Sequence, residues 1–238
     1  MSEARAHILA TIKTALGRNR LNPEARRVLE DRLADPKANV IPARAKIGPN
    51  GAHKDLIERF LEETGRADAT AERLADLAAV PGAVARFLAA AGLPGRIKAM
   101  PDPVLRTLSW TSPGTAPGFT VAYGPASPED TAGLALAAAG IAETGTLMLV
   151  SGPERPVTIN FLPETALVVL FAGTIVGAYE DAWKMLRDRA VGGRPFMPRA
   201  VNLITGPSRT ADIEQTLLLG AHGPQRLHIL VIDDAATA

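Results

Sequence analysis

The sequence predicts an α/β protein, a mainly parallel sheet flanked by helices, with a helical extension at its N-terminus. Three observations carry this reading. Apolar residues of the C-terminal half fall in short runs bounded by turn residues, and Leu167 to Phe171 is continuous, as in a strand buried on both faces. Such runs alternate with stretches of helical period, which is the order of βαβ units. The first fifty residues, in contrast, show helical spacing alone.

Taken in order, residues 1–50 form a helical extension and linker, and residues 51–238 form the α/β domain. Ile8, Leu9, Ile12 and Leu16 mark one face of a first helix. A second opens at Asn22-Pro23-Glu24, an N-cap followed by proline at the first helical position, with Val28, Leu29 and Leu33 on one face. Pro36, Pro42 and Pro49 make the stretch from Asp35 to Asn50 a linker or strap. Leu56, Ile57, Phe60 and Leu61 form a helix face ending at Gly65, read as its C′ residue. Val84, Phe87, Leu88 and Ala91 form another, ending at Gly92. Prolines and small polar residues between Ile97 and Gly118 predict loops around a packing segment with Leu105, Leu108 and Trp110.

Phe119 to Tyr123 is a strand candidate, and Ser127-Pro128-Glu129-Asp130 carries the Ser-x-x-Asp pattern that starts a helix. Ile141 to Val150 and Val157 to Leu162 read as neighbouring strands around a turn at Ser151 to Pro156. A helix over Tyr179 to Ala190 is stopped by Gly192-Gly193. Strand Ala200 to Thr205, a helix near Thr210 to Leu219 and strand Leu227 to Asp233 complete the order.

Composition narrows the function. Hydrophobic residues make up 47% of the 238, enough for a proper core. The chain has no cysteine, so a disulfide framework, a Cys-ligated zinc and a self-held iron–sulfur cluster are excluded for it. Net charge is +1, which makes no global case for nucleic acid or membrane. Residues 1–50 hold ten Lys/Arg against five Asp/Glu, but no aromatic residue interleaves with them as single-strand binding wants. The longest apolar runs fall far short of the ~20 residues of a membrane span. With no signal-like N-terminal segment, the expected location is the cytoplasm.

Several motifs are missing: the P-loop, the Gly-x-Gly-x-x-Gly fingerprint, the Gly-x-Ser-x-Gly elbow and His-Glu-x-x-His. The four histidines, at 7, 53, 222 and 228, lack metal-ligand spacing. His228 reads as a core or edge residue of a strand, and His222 as a helix cap.

Two loops have binding chemistry, and both are expected beyond the carboxyl ends of the strands, where open parallel sheets bind ligands. The first is Gly206-Pro207-Ser208-Arg209-Thr210-Ala211-Asp212, read as a strand-to-helix junction. A helix N-terminus offers free N–H groups and partial positive charge to a phosphate or carboxylate. Ser208 and Thr210 add hydroxyls, Arg209 a guanidinium fork, and Gly206 and Asp212 bound the loop. Ser208 or Thr210 also serves as the helix cap, with Asp212 complementing its dipole. The second is Ala142-Glu143-Thr144-Gly145-Thr146. A carboxylate beside buried strands is costly unless paired or used. Glu143 is thus a candidate base, nucleophile or orienting group, or a structural partner of Arg209 or Arg155. Thr144, Gly145 and Thr146 would let the backbone approach a ligand closely.

The strings GIAETGTLMLVSGPERP and ITGPSRTADIEQTLLLGAHGPQRLHILVID together resemble the LUD-domain family, the lactate utilisation protein C group, over about His53 to Asp233. The resemblance implies a fold like the NagB, ribose-5-phosphate isomerase and CoA-transferase superfamily. It also implies a role in L-lactate oxidation to pyruvate as a subunit or accessory protein; the alternative is a stand-alone enzyme of the CoA-transferase or sugar-phosphate isomerase kind, with Glu143 as its catalytic carboxylate. Iron–sulfur clusters are then expected on partner proteins only, with no cofactor held by this chain. The implied ligand is a small carboxylate or a phosphorylated molecule; self-association into a homo-oligomer stays open. Where the family pattern is associated with a histidine near a strand start, this chain has Leu162-Pro163-Glu164, making Glu164 the replacement.

Overall fold

The computed structural model describes residues 3–17, 21–37, 40–45, 53–110, 118–191, 194–195, 197–211, 217–220 and 222–233. The chain divides into two units, Met1–Val40 and Ile41–Ala238. The first holds α1 (Glu3–Leu16) and α2 (Pro23–Ala34). Asn22 caps α2 as expected, its Oδ1 accepting from Ala25 N at 2.6 Å.

The second unit is built on six parallel strands. In chain order its elements are α3 (His53–Arg66), β1 (Thr70–Leu74), α4 (Val80–Ala90), β2 (Arg96–Ala99), α5 (Pro103–Arg106), β3 (Thr120–Tyr123), β4 (Ala132–Leu136), β5 (Ala139–Ile141), β6 (Thr146–Val150), β7 (Thr165–Phe171) and β8 (Ile175–Val176). There follow α6 (Tyr179–Asp188), β9 (Ala190–Val191), β10 (Arg194–Pro195), β11 (Val201–Ile204), β12 (Arg209–Ala211), β13 (Leu217–Leu219) and β14 (Arg226–Ile232). The main sheet has the order β1-β14-β7-β4-β2-β3. Every pairing in it is parallel. A second, four-stranded sheet has the order β11-β6-β5-β8, with β6 antiparallel to both neighbours. The expected α/β class and largely parallel sheet are borne out.

Burial explains the strand sequences. β4 is buried along its whole length and β7 in all but its last residue. The core joins Leu134, Leu167, Val169, Ile229 and Val231 of the sheet to Leu56, Ile57 and Phe60 of α3 and Val84 and Leu88 of α4. A smaller cluster packs α6, through Ala182 and Leu186, on Ile141, Met148 and Val150 of the second sheet.

Four expectations about elements are corrected. Asp130 accepts through Oδ2 from the N–H and the hydroxyl of Ser127, so the capping pattern closes a turn and the buried strand β4 follows, not a helix. Val157–Asn160 is a short 3₁₀ turn, not a strand. Residues 141–150 are the hairpin β5–β6, with a turn at 142–145, rather than one strand. Finally, α3 runs past Gly65. Asp68 takes the left-handed conformation (φ 58°) as the C′ residue, with Ala69 N–H donating to Thr64 O at 3.2 Å and Asp68 N–H to Gly65 O at 3.1 Å.

Candidate functional site

The two loops singled out in the sequence meet. β11 runs antiparallel to β6 with Ile204 opposite Leu147, which sets Thr205 beside Thr146. Their hydroxyls are in hydrogen-bond contact, and Thr146 also meets Thr144 Oγ1 at 2.7 Å and Tyr179 Oη at 2.9 Å. Thr144 Oγ1 and Tyr179 Oη close the triangle at 2.9 Å. These four contacts match the four protons that four hydroxyls can donate, so the cluster can satisfy itself while Thr146 is fully buried. Its first effect is therefore to fasten the turn, the end of β11 and the first residue of α6 together.

Both loop glycines face the carboxyl end of α3. Gly145 has φ +64°, and a Cβ there would lie 2.7 Å from Glu63 C and 2.9 Å from Thr64 Cα. Gly206 has φ +75°, and its Cβ would strike the carbonyl oxygen of Ala67. The close approach expected of Gly145 is thus made to a helix of the same chain.

This placement corrects the expected position of the Gly206 loop. Ala67 lies just before β1, and Ser208 N–H donates to Pro224 O, just before β14, at 2.8 Å. The loop therefore stands at the amino edge of the main sheet, not beyond its carboxyl ends. Nor does a helix follow it. Arg209–Ala211 pairs antiparallel with Leu217–Leu219 as β12 and β13, so the free N–H row and positive dipole of a helix start are absent at Thr210. Continuous leucines read equally as helix or strand, and here the ribbon wins. Thr210 lies in that ribbon, and Asp212 falls outside the described residues. The helix start near these loops is that of α6, where Glu180 and Asp181 already occupy the first turn.

Arg209 and Arg155, the arginines expected beside Glu143, each hold another carboxylate. Arg209 Nη2 donates to Ala67 O at 2.8 Å and pairs with Asp68, complementing the carbonyl end of α3. Arg155 donates through Nε to Asp102 Oδ2 at 2.8 Å. Glu143 is half-buried, and its backbone N–H donates to Gly177 O at 3.0 Å, at the threshold of α6. His222 caps no helix; its N–H donates to Ser208 Oγ at 3.3 Å. Beside it, Glu164, His222 and Gln225 line a cleft of about 350 Å³ with Phe161 and Leu162.

His228 is a core residue of β14 as expected, stacked on Phe87 at 4.2 Å between centroids, with Nδ1 2.7 Å from Thr70 Oγ1. No group of three His, Asp or Glu able to hold a metal occurs among the described residues, and no described helix is long and apolar enough to cross a membrane.

Residues 130–232 match the LUD domain. This stretch holds β4 to β14, both loops and the hydroxyl cluster, and the resemblance read from the two loop strings is borne out. Among relatives of the LUD segment, lactate utilization protein C of Geobacillus sp. (strain WCH70) is 37% identical over 94 residues, 40% of this chain and 39% of the relative. Lactate utilization protein C of Geobacillus thermodenitrificans (strain NG80-2) is 35% identical over 102 residues, 43% of this chain and 42% of the relative. The matched stretch therefore spans about two fifths of each of these relatives. Among solved structures, a DUF162 family protein from Deinococcus radiodurans aligns with a TM-score of 0.53 at 21% identity, covering 76% of this chain and 99% of the other. That likeness concerns the fold.

Sequence reasoning missed Tyr179 and Thr205 as members of the hydroxyl cluster. A signal existed for Thr205, which ends the strand directly before Gly206. For Tyr179 there was none, because its approach depends on how α6 packs on the second sheet.

Proposed function

We propose that this chain works in L-lactate oxidation to pyruvate as an accessory protein, binding a small carboxylate beside the joined 143–146 and 206–209 segments. The name of the relatives that share its LUD segment supports a role in lactate utilisation. The observation that carries the site is the Thr146–Thr205 contact, which makes one surface of two loops that are 59 residues apart in sequence. On that surface Arg209 spends Nη2 on the end of α3, and its other N–H groups would take the carboxylate. The Thr144 and Tyr179 oxygens would accept from a ligand hydroxyl.

Oxidation of L-lactate to pyruvate releases two electrons and two protons, so an electron acceptor is required. This chain has no cysteine with which to ligate an iron–sulfur cluster. The reading therefore assigns electron transfer to partner proteins and ligand capture or presentation to this one. Supplying the chain to cells whose own lactate utilization protein C is deleted should restore growth on L-lactate. In a thermal-shift panel of L-lactate, pyruvate, phosphate and CoA, a carboxylate should raise the wild-type melting temperature, and Arg209→Ala should remove the rise. A wild type unmoved by both carboxylates would sink the site. Turnover of an acyl-CoA or sugar phosphate that Glu143→Gln abolishes would instead favour a stand-alone enzyme.

A further inference from the structure

A second cleft lies where β6 ends. The turn after Val150 is closed by paired backbone bonds, Gly152 N–H to Arg155 O at 3.3 Å and Arg155 N–H to Gly152 O at 3.1 Å. Ser151 ties it to the start of β11: its N–H donates to Ala200 O, and its Oγ accepts from Ala200 N–H, both at 2.9 Å. The turn is thus fixed on both sides, and with Arg189 it bounds a cleft of about 300 Å³.

Two guanidinium groups converge on this cleft. Arg155 is anchored at its root, because Nε donates to Asp102, whose side chain is only 3% exposed and whose other oxygen caps α5 at Val104 N. That contact leaves the terminal amino groups of Arg155 out of the pair. Arg189 directly follows α6 and meets no carboxylate or hydrogen-bond acceptor among the described residues. Burial, and then the charge of Arg155, lower its pKa. A basic residue after a helix complements the carbonyl end of that helix, which accounts for a positive charge at this position. It does not account for a second guanidinium facing the same cleft. Asp102 already answers the charge of Arg155, so Arg189 is the guanidinium left without a carboxylate among the described residues, and an anion between the two would answer it. Glu154 also lines the cleft, and no ion pair forms between it and either arginine.

We propose that this cleft is a binding site for a small phosphate-bearing molecule, held between Arg155 and Arg189. Tetrahedral phosphate presents separate edges to two forks, whereas a carboxylate presents two oxygens in one plane. The Ser151 hydroxyl, whose oxygen already accepts from Ala200, has its proton left to donate to a phosphate oxygen. Val150 and Pro153 supply apolar wall for the remainder of the ligand. This site is separate from the one proposed above, and neither reading depends on the other.

The test is calorimetric titration of the full chain with inorganic phosphate and methyl phosphate, with acetate and L-lactate as carboxylates, at ionic strength fixed with KCl. Wild type should bind the phosphates saturably. Arg189→Ala should weaken that binding about tenfold or more, the loss expected for charge-assisted hydrogen bonds. Arg189→Lys, which keeps the charge without the fork, should fall between. Because Arg189 pairs with no described side chain and only complements the carbonyl end of α6, the unliganded melting temperature of Arg189→Ala should change little. Absence of saturable phosphate binding, binding of carboxylates alone, or equal affinity in Arg189→Ala would each overturn the proposal.

Discussion

Gly145 and Gly206 show how much one missing methyl group can decide. Each combines a left-handed φ with backbone contact against the end of α3, so alanine would be strained in conformation and blocked in space. Gly145→Ala should destabilise the chain by about 2–5 kcal/mol, adding the usual cost of a left-handed non-glycine residue to that of overpacking. Gly173→Ala, with nothing within 4 Å of its Cβ and no positive φ, is the control expected to be near neutral. Urea midpoints of the three proteins decide the matter; equal midpoints would mean that α3 yields to the new methyl. Removing the Arg155 side chain should cost about 3 kcal/mol, because the buried Asp102 is left without its partner. Tyr179→Phe should cost about 1 kcal/mol, since the hydroxyl triangle loses one corner.

Among the elements, β14 couples stability to pH through His228. Burial lowers the pKa of this imidazole, and Glu72, 3.9 Å from Nε2, opposes that in part. The folded chain therefore binds the proton less readily than the unfolded one, so stability is full above the ordinary histidine range. It should decline as pH falls from about 6.5 toward the lower folded value. Denaturation midpoints at pH 7.5, 6.0 and 5.0 should show this slope, and His228→Phe should flatten it. An unchanged slope in that variant would place the titration elsewhere. Legibility from sequence also differed by element. α2 announced itself through Asn22 and Pro23, and β7 through its unbroken apolar run, because caps and continuous burial leave local marks. β4 did not, since Ala-Gly-Leu-Ala-Leu suits a helix until the sheet on both sides of it is known. The candidate site was half legible. Its residue types and its two loops were visible, but the β12–β13 ribbon depends on pairing across Asp212 to Thr216, which no local pattern specified.

At the scale of the whole molecule, strand order sets a constraint that composition cannot express. Among the described residues β1 bonds to β14 and to no other strand, and β14 bonds on its other side to β7, so residues near 70 wait for residues near 228. A chain ending before Arg226 should lose the cooperative transition altogether, because β1 and α3 would face a gap in place of Leu227 to Ile232. Circular dichroism against temperature checks this. The same strand order has a meaning during synthesis. A ribosome has already made α3, α4 and β7 when the residues that will lie between β1 and β7 are still untranslated. The sheet therefore closes late, and until it does the open hydrogen-bonding edge of the apolar strand β7 is what a chaperone would meet.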